Sequence, residues 1–403
     1  MSEAAPWLTI IGLGEDGPDG LPPASRSALE RAELIIGPPR HLGLLPASKA
    51  RQVEWPVPFE DGIATLLDLR GARVVMLTSG DPFWFGAGSV IARHLGPSEW
   101  HTLPGASSFS LAAAHLGWPL ENTPCLGLHA APLSRLRAHL APGWRGIVTL
   151  RDGAAVSGLA EWLNGLGFGA SRLHVMEALG GPRARTRTTL AAGFGLEGIA
   201  HPVCVGLEVE GTGVVVGYAS GREDALFEND GQITKRMVRA MTLSALAPKF
   251  GEHLWDIGGG SGSVAIEWLL SHPSTSATVI EAQAERAARI LRNADHLGVD
   301  RLHLVTGKAP AILSDLARCD LPDAVFIGGG LSNELLVWLM DTLPKGTRLV
   351  ANSVTLESAA LLGQWQALKG GELLKIELAK SSPLGTKRSW KPSLPLVQWS
   401  VAL

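Results

Sequence analysis

The clearest chemical signal in this sequence is a glycine-rich loop that follows a short apolar run. Residues 254–257 are typical of a buried strand, and Asp256 lies near its end. The loop that follows consists of Gly258, Gly259, Gly260, Ser261 and Gly262. Glycines permit a tight turn and let a ligand approach the bare backbone. A helical pattern begins directly afterwards, and a helix N-terminus offers free N–H groups to polar atoms of a ligand. We therefore expect a ligand-binding loop here, with Asp256 ordering its backbone N–H groups.

A second carboxylate adds to this arrangement. Glu281 ends the next apolar run, roughly 20 residues past the loop, where a carboxylate can accept hydrogen bonds from both hydroxyls of a ribose. Dinucleotide-binding turns have the spacing Gly-x-Gly-x-x-Gly, whereas this loop has Gly-x-Gly-x-Gly with an acid two residues before its first glycine. This spacing favours S-adenosylmethionine (SAM) as the ligand and predicts a methyltransferase. A purely structural turn and a nicotinamide site remain the alternatives.

Two further segments of the C-terminal half agree with a SAM site. Residues 307–310, which include Ala309, follow the third predicted strand, where the adenine of the cofactor would lie. Residues 328–330 are three glycines after the fourth predicted strand. A nucleic-acid amino-methyltransferase is expected to have Asn or Asp, two prolines and an aromatic residue there. Three glycines grip an exocyclic amine poorly and leave space for a bulky, flat substrate.

The N-terminal half has three other glycine-containing segments. The first is Gly12-Leu13-Gly14, and the other two are Ser79-Gly80-Asp81-Pro82 and Pro104-Gly105-Ala106-Ser107-Ser108. Each lies at the end of a strand-like run, where glycine allows unusual backbone angles. For Asp81 or Ser107 taken alone, helix capping is a sufficient explanation. The combination of the three segments favours a second ligand site.

Both halves of the chain are predicted to be α/β, which places these loops at strand ends. Apolar runs predict N-terminal strands at 7–13, 74–78, 147–150 and 202–207, alternating with helices such as 25–32, 89–94 and 154–166. The predicted C-terminal strands are 254–257, 277–280, 302–305, 324–327 and 348–351. The intervening stretch is polar, acidic and glycine-containing, so we place a linker at 222–231, between domains at 1–221 and 232–403.

The C-terminal motifs resemble a known family. Residues 232–239 (Gln-Ile-Thr-Lys-Arg-Met-Val-Arg), the glycine loop, residues 307–310 and the triple glycine together resemble the precorrin decarboxylating methyltransferase family of cobalamin biosynthesis. The resemblance covers essentially all of residues 232–403 and implies a Rossmann-like class I SAM-dependent methyltransferase fold. It also implies that SAM is contacted by Thr234, residues 258–262, Glu281 and Ala309.

The N-terminal motifs, in their order, resemble the tetrapyrrole methylase family over most of residues 5–220. The resemblance implies a two-lobed α/β fold with SAM held between the lobes. The cofactor-binding residues that it implies are Gly80, Asp81, Pro82, Pro104, Gly105, Ser107 and Ser108. The chain departs from the family at the first turn, where many members have Gly-Pro-Gly-Asp and this sequence has Gly14-Glu15-Asp16-Gly17. Whether the substrate enters near that turn as it does in other family members is therefore left open.

The two resemblances in this order imply a bifunctional member of the fused precorrin methyltransferases. Such an enzyme methylates carbons 5 and 15 of a precorrin (6Y/6B) and removes the carboxylate of the ring C acetate to give precorrin-8, with one SAM per domain. Two other interpretations stay open: an N-terminal domain that only binds or channels the tetrapyrrole, and a nucleic-acid methyltransferase with an accessory domain. A net charge of −3 disfavours nucleic acid as a partner. The sequence identifies no catalytic residue, including the proton donor for decarboxylation.

A substrate with many carboxylates requires local basic patches. The candidates are Arg183/Arg185/Arg187, Lys235/Arg236/Arg239 and the cluster from Lys380 to Lys391. Solvated surface charge is the alternative explanation for each cluster. We favour Lys387 and Arg388 as substrate-binding residues, because a stretch at 381–386 that we expect to be flexible delivers them. Trp390 follows and is able to cover a macrocycle.

Composition sets the remaining limits. Apolar residues make up 46% of the chain and charged residues 18%, which is enough to bury a large core. Its three cysteines are far apart, so they predict neither a disulfide framework nor a metal site. The N-terminus lacks a signal-peptide pattern and no apolar run is long enough for a membrane span, so we expect a cytoplasmic protein without membrane contact. Whether the chain forms a homo-oligomer is left open.

Overall fold

The computed structural model describes residues 6–403, which form two compact units. The first unit runs to Pro132 and resumes over Leu140–Val214. The second unit comprises Leu133–His139 and Val215–Leu403. Residues 222–231, which we expected to be a linker, are counted within the second unit. Each unit is described separately below.

The first unit begins with a parallel sheet in the order β3-β2-β4-β1-β5. Its elements are β1 (Leu8–Leu13), α1 (Pro23–Arg31), β2 (Leu34–Gly37), α2 (Pro39–Leu42), β3 (Arg51–Glu54), α3 (Asp61–Leu67), β4 (Val74–Ser79), α4 (Ala87–Ile91) and β5 (Trp100–Leu103). The central strands β1 and β4 are almost wholly apolar and buried, as expected for a parallel sheet covered on both faces. Their C-terminal ends therefore point the following loops towards one edge of the sheet.

A second, mixed sheet completes the first unit, in the order β6-β7-β10-β8-β9. Its elements are α5 (Ser108–Leu116), β6 (Cys125–Gly127), β7 (Arg145–Leu150), α6 (Gly153–Gly165), β8 (Arg172–Glu177), β9 (Arg185–Leu190) and β10 (Val203–Glu208). Only the β6–β7 pair is parallel within this sheet. Helix α5 packs its buried Phe109 and Ala112 with Ile147 of β7. The predicted strands at 7–13, 74–78, 147–150 and 202–207 are confirmed within a residue or two at each end.

The second unit is built on a seven-stranded sheet in the order β13-β12-β11-β14-β15-β19-β16. Its elements are α7 (Arg236–Leu246), β11 (His253–Ile257), α8 (Ser263–Ser271), β12 (Ser276–Glu281), α9 (Ala284–His296), β13 (Leu302–Thr306), α10 (Leu313–Cys319), β14 (Ala324–Ile327), α11 (Asn333–Thr342), β15 (Arg348–Ser353), α12 (Leu356–Lys369), β16 (Glu372–Ile376), β17 (Ala379–Leu384), β18 (Lys387–Pro392) and β19 (Leu396–Ala402). The five strands from β11 to β15 are mutually parallel, and β19 is antiparallel to its two neighbours. The first five strands follow the Rossmann order, and an antiparallel strand then lies between the fifth and the sixth. The predicted Rossmann-like fold is confirmed.

Residues before α7 belong to the core of the second unit. Val216, Leu226 and Phe227 are buried with Leu243 of α7 and Trp268 of α8 in one apolar cluster. The segment that the sequence presents as polar and acidic therefore has an apolar inner face, which anchors it to the helices on one side of the sheet.

The basic segment near the C-terminus is a β-hairpin. Strands β17 and β18 pair only with each other, and Gly385 and Thr386 form the turn between them. Gly385 has a φ of +59°, which glycine adopts without strain and which two-residue hairpin turns require. Our expectation of a flexible stretch at 381–386 is therefore wrong, since most of it is a paired strand.

Candidate active sites

The glycine loop of the second unit joins β11 to α8 in a tightly packed turn. Gly258, Gly260 and Gly262 have φ values of +76°, +59° and +74°, which side chains other than glycine rarely adopt. The N–H groups of Gly258 and Gly259 donate to the carbonyl of Ile280 in β12. A Cβ atom on Gly259 would lie 2.2 Å from Val279. The loop is thus held flat against the end of β12, as a ligand-binding turn requires.

Glu281 binds this loop directly. Its two carboxylate oxygens accept hydrogen bonds from the N–H of Gly260 and the N–H of Gln283, both at 2.9 Å. A carboxylate has about four acceptor sites, so each oxygen keeps capacity for one further donor. Both oxygens are therefore able to accept the hydroxyls of a ribose while Glu281 stays fixed against the loop.

Asp256 lies beneath the loop and does not reach its surface. It is 2% exposed, and its Oδ2 accepts the N–H of Ala265 in the first turn of α8 at 3.1 Å. Burial raises the pKa of this carboxyl to about 7, and the charge of Glu281 contributes to the increase. The Ala265 hydrogen bond opposes it. Asp256 thus fixes the start of α8, whereas the N–H groups of Gly258, Gly259 and Gly260, which we expected it to order, donate to Ile280 and Glu281 instead.

The other C-terminal motifs lie around the same sheet edge. The N–H of Gly307 donates to the carbonyl of Glu281, which places residues 307–310 beside the end of β12. Gly329 lies against the loop, since a Cβ atom on Gly258 would come within 2.6 Å of its Cα. The triple glycine is therefore explained in part by close packing of two backbones. Ala309 lines a cavity of about 630 Å³, together with Lys308, Pro310, Ala311, Ser314, Gly330, Leu331, Ser332, Glu334 and Trp338.

A buried ion pair that the sequence analysis missed holds the segment carrying Thr234. Arg239 of α7 and Glu267 of α8 are both fully buried, with Nε and Oε1 2.7 Å apart. Arg239 also donates to the carbonyls of Thr234 and Arg222, and Glu267 accepts the backbone N–H groups of Gly221 and Arg222. These bonds hold residues 221–234 against α7 and α8. The carbonyl oxygen of Gln232 lies 3.4 Å from the position that a Cβ atom on Gly260 would take.

The predicted basic patches differ in what they contact. Arg239 is buried and paired, so its assignment to a surface patch is wrong. Arg185 and Arg187 both bind Glu177, whose side chain is fully buried, and they also donate to the carbonyls of Gly198 and Glu197. Within residues 6–403, Lys387 and Arg388 form no ion pair, and both are exposed on β18. The hairpin is therefore the most accessible of the three clusters.

In the first unit the three predicted glycine segments meet at one point. The N–H of Gly105 donates to the carbonyl of Gly80 at 3.0 Å, and the N–H of Gly80 donates to the carbonyl of Leu13. A Cβ atom on Gly12 would lie 1.7 Å from the Gly80 carbonyl oxygen, so no other residue fits there. Three loops that are far apart in sequence are thus packed backbone to backbone at the ends of β1, β4 and β5.

The polar residues of these loops have separate structural roles. Ser107 caps α5 by accepting the N–H of Ser110 at 3.0 Å, which confirms capping for that residue. Asp81 accepts the N–H of Phe83 in a local turn and caps no helix. Pro82 packs under Gly88 of α4, and Pro104 is exposed. Gly80 and Ser108 line a cavity that lies within the first unit, together with Leu13, Gly14, Glu15, Arg40, Ser79, Ala106, Leu111, Met176, Leu179, Pro202, Val203 and Cys204.

Residues 6–403 contain no cluster of three or more His, Cys, Asp or Glu side chains suited to hold a metal ion. No helix in the same part of the chain has the length and apolar content needed to cross a membrane.

Comparison with known proteins decides the family. A family model described as a precorrin methyltransferase domain matches residues 225–403, and one described as tetrapyrrole (corrin/porphyrin) methylases matches residues 7–193. A precorrin-6Y C(5,15)-methyltransferase (decarboxylating) from Sinorhizobium sp is 48% identical over 402 residues, which cover 98% of this chain and 96% of that protein. The chain belongs to the precorrin-6Y C(5,15)-methyltransferase (decarboxylating) family.

Two further relatives bear on the division of the molecule. The family member from Mycobacterium tuberculosis (strain ATCC 25618 / H37Rv) is 38% identical and covers 98% of this chain and 99% of its own. A cobalt-precorrin-6B C(15)-methyltransferase (decarboxylating) from Salmonella typhimurium is 32% identical over 169 residues, which are 41% of this chain and 85% of that protein. The fold of the first unit is thus that of a tetrapyrrole methylase, and the chain is an enzyme of a SAM-dependent methyltransferase family.

Proposed function

We propose that this chain methylates carbons 5 and 15 of a precorrin (6Y/6B) and removes the carboxylate of the ring C acetate, giving precorrin-8. The observation that carries the proposal is that each unit has its own convergent glycine site, within a chain that aligns over 98% of its length with a relative named for this activity. We assign carbon 15 and the decarboxylation to the second unit. The match to the precorrin methyltransferase domain at residues 225–403 lies in this unit, and a relative named for those two steps alone covers a similar share of the chain, 41%.

One SAM per unit follows from the two sites. In the second unit, Glu281 would hold the ribose, and residues 258–262 would lie against the methionine part. Thr234 and Ala309 would flank the cofactor, and Asp256 would act through α8. In the first unit, Gly80 and residues 104–108 would carry the second SAM.

Catalysis of the methyl transfer depends mainly on how the two reactants are positioned. SAM supplies an electrophilic sulfonium methyl group. The electron-rich meso carbon of the tetrapyrrole attacks that methyl in line, the carbon–sulfur bond breaks and S-adenosylhomocysteine leaves. Holding the two reacting carbons in contact and excluding water is what the two loop sites contribute. Loss of carbon dioxide from the acetate leaves its electron pair in the conjugated ring system, and the new methyl carbon then takes up a proton.

The hairpin is the proposed contact for substrate carboxylates in the second unit. Neighbouring residues of a strand point to opposite faces, so Lys387 and Arg388 diverge. Arg388 shares its face with Trp390, which is 73% exposed, whereas Lys387 shares its face with Lys391 and with Lys380 across the pair. Arg388 can therefore grip a carboxylate with two hydrogen bonds while Trp390 covers the ring, and Lys387 supplies a point charge on the other face.

The competing function is an N-terminal unit that only binds or channels the tetrapyrrole. Mass spectrometry of the product made by the full chain separates the two, because one methyl group, two methyl groups and loss of carbon dioxide differ in mass. Two added methyl groups with loss of carbon dioxide support the proposal. A single added methyl group with loss of carbon dioxide supports the binding module.

A further inference from the structure

The first unit contains two arginines that share one buried carboxylate. Glu15 is 7% exposed and follows β1 in the turn where the chain departs from its family pattern. Its Oε2 accepts a hydrogen bond from Nη2 of Arg183 at 2.9 Å, and its Oε1 accepts one from Nη1 of Arg40. Arg40 also contacts Ser79 through Nη2 at 2.9 Å. These bonds fix both guanidinium groups on Glu15, and they fix Arg40 at the end of β4.

The neighbouring groups do not neutralise the second positive charge. Burial and the adjacent Arg40 lower the pKa of His41 to about 3, so it is neutral at physiological pH. Burial, followed by Arg40, also lowers the pKa of His201. Asp152, a carboxylate whose charge acts on His201, pairs with Arg151 and caps α6. Two guanidinium charges therefore face one carboxylate, which leaves an excess of one positive charge.

This charge borders the glycine loops. Glu15 and Arg40 line the same cavity as Gly80, Ala106 and Ser108. Within residues 6–403, Arg183 donates one hydrogen bond, from Nη2 to Glu15. Its side chain is 59% exposed. An arginine has five N–H donors, so most of those on Arg183 are available to a ligand. Arg185, two residues on, differs because its donors are taken up by Glu177 and a backbone carbonyl.

We propose that Arg40 and Arg183 bind a peripheral carboxylate of the precorrin and so orient it for methylation by the first unit. This inference rests on the proposed function, since it assigns the substrate contact of the carbon-5 site. A carboxylate fits because the site has one unmatched positive charge and planar donors that can bind both oxygens. SAM also carries a carboxylate, so the experiment must separate the two ligands.

The test uses the full-length chain and measures KM for the precorrin, KM for SAM and the product mass. Arg183→Ala should raise KM for the precorrin at the carbon-5 step roughly tenfold, because a charge-assisted hydrogen bond is lost at a half-exposed site. KM for SAM and the decarboxylation should stay as in the wild type. Arg183→Lys should recover part of the loss, since it restores the charge without the planar fork. Arg172→Ala is the matched control, an arginine of the same unit that is 56% exposed and faces Glu208.

Three results would overturn the inference. An unchanged KM for the precorrin in Arg183→Ala would show that the cluster does not bind the substrate and has only a structural role. A rise confined to KM for SAM assigns the cluster to the SAM carboxylate. An equal rise in the Arg172→Ala control shows a general effect of surface charge. If the wild-type chain itself leaves carbon 5 unmethylated, the proposed function fails, and that outcome is seen before any variant is compared.

Discussion

Asp256 should make the stability of the second unit depend on pH. Its carboxyl is buried at the end of β11, and burial raises its pKa to about 7 from an ordinary value of 3.8. The folded chain therefore holds this proton over a pH range in which the unfolded chain has released it. The free energy of unfolding consequently falls as the pH rises from about 4 to about 7, and the loss is complete above the folded pKa. The difference between the two pKa values corresponds to roughly 4 kcal/mol, as an order of magnitude.

Asp256→Asn removes the titration and keeps an oxygen that can accept the N–H of Ala265. In the absence of SAM, the free energies of unfolding of the variant and the wild type should differ less near pH 5 than near pH 8. At pH 8 it should be the more stable protein by a few kcal/mol. Hydrogen exchange of β11 amides in the full-length chain measures this, because comparing the two proteins at each pH cancels the intrinsic pH dependence of exchange.

Asp315→Asn is the control for removing a negative charge, because Asp315 lies on α10 with 75% of its side chain exposed. The contradicting result is a difference in the free energy of unfolding between Asp256→Asn and the wild type that is the same at pH 5 and pH 8. Such a result would mean that burial does not hold the Asp256 carboxyl in its neutral form.

Three further predictions concern the second unit. Arg239→Met should cost about 3–5 kcal/mol in chemical denaturation because it removes the nearest cation from buried Glu267 and leaves Arg222, at 3.5 Å, as the remaining one. Adding Glu267→Leu should restore only part of the loss, since the N–H groups of Gly221 and Arg222 then lose their acceptor; a cost in Arg239→Met no larger than that of an exposed ion pair would contradict a tight buried pair. Arg388→Ala should raise KM for the precorrin at the carbon-15 step by about tenfold and Lys387→Ala by less, with SAM affinity unchanged in both; equal effects, or a loss confined to SAM, would contradict the assignment of faces on the hairpin. A chain starting at residue 215 should melt at a higher temperature than one starting at 232, since the shorter chain lacks Phe227 and the backbone partners of Glu267; equal melting temperatures would show that the segment adds no stability.

The sequence located the loops well because glycine spacing and apolar runs are local signals. Gly258, Gly260 and Gly262 need positive φ values, and a side chain on Gly259 would collide with Val279, so the glycine spacing is visible without knowledge of the neighbours. The strand runs are equally plain, since a buried parallel strand is apolar along its length. The position of Glu281 follows from both signals, because a strand end two elements along the chain meets the loop in this topology.

Pairings between distant polar residues were not visible in the same way. Lys235, Arg236 and Arg239 resemble one basic patch, yet Arg239 is buried. A signal was present, because Arg239 precedes Thr242, Leu243 and Leu246 at helical spacing on the buried face of α7. Its partner Glu267 cannot be inferred from local pattern, since it lies on another helix.

The hairpin and the Glu15 cluster show two other limits. Gly385-Thr386 between two polar runs is a signal for a two-residue hairpin turn. The Ser, Pro and Gly content of the segment, taken alone, indicates a flexible stretch instead. Glu15 lies in the turn after β1, Arg40 in α2 and Arg183 in the turn before β9, and only the tertiary fold brings them together. The departure from the family pattern at Glu15 marked the place, but the sequence could not name the arginines that it holds.

The most direct test of the whole account is the number of SAM molecules bound by the full-length chain. Equilibrium titration should give two per chain for the wild type. Glu281→Gln should leave one, because it removes the carboxylate that holds the loop and that we propose binds the ribose in the second unit, whereas Glu285→Gln, an exposed change on α9, should leave two. A wild-type chain that binds a single SAM, lost entirely in Glu281→Gln, would contradict the account by showing that the first unit has no SAM site of its own.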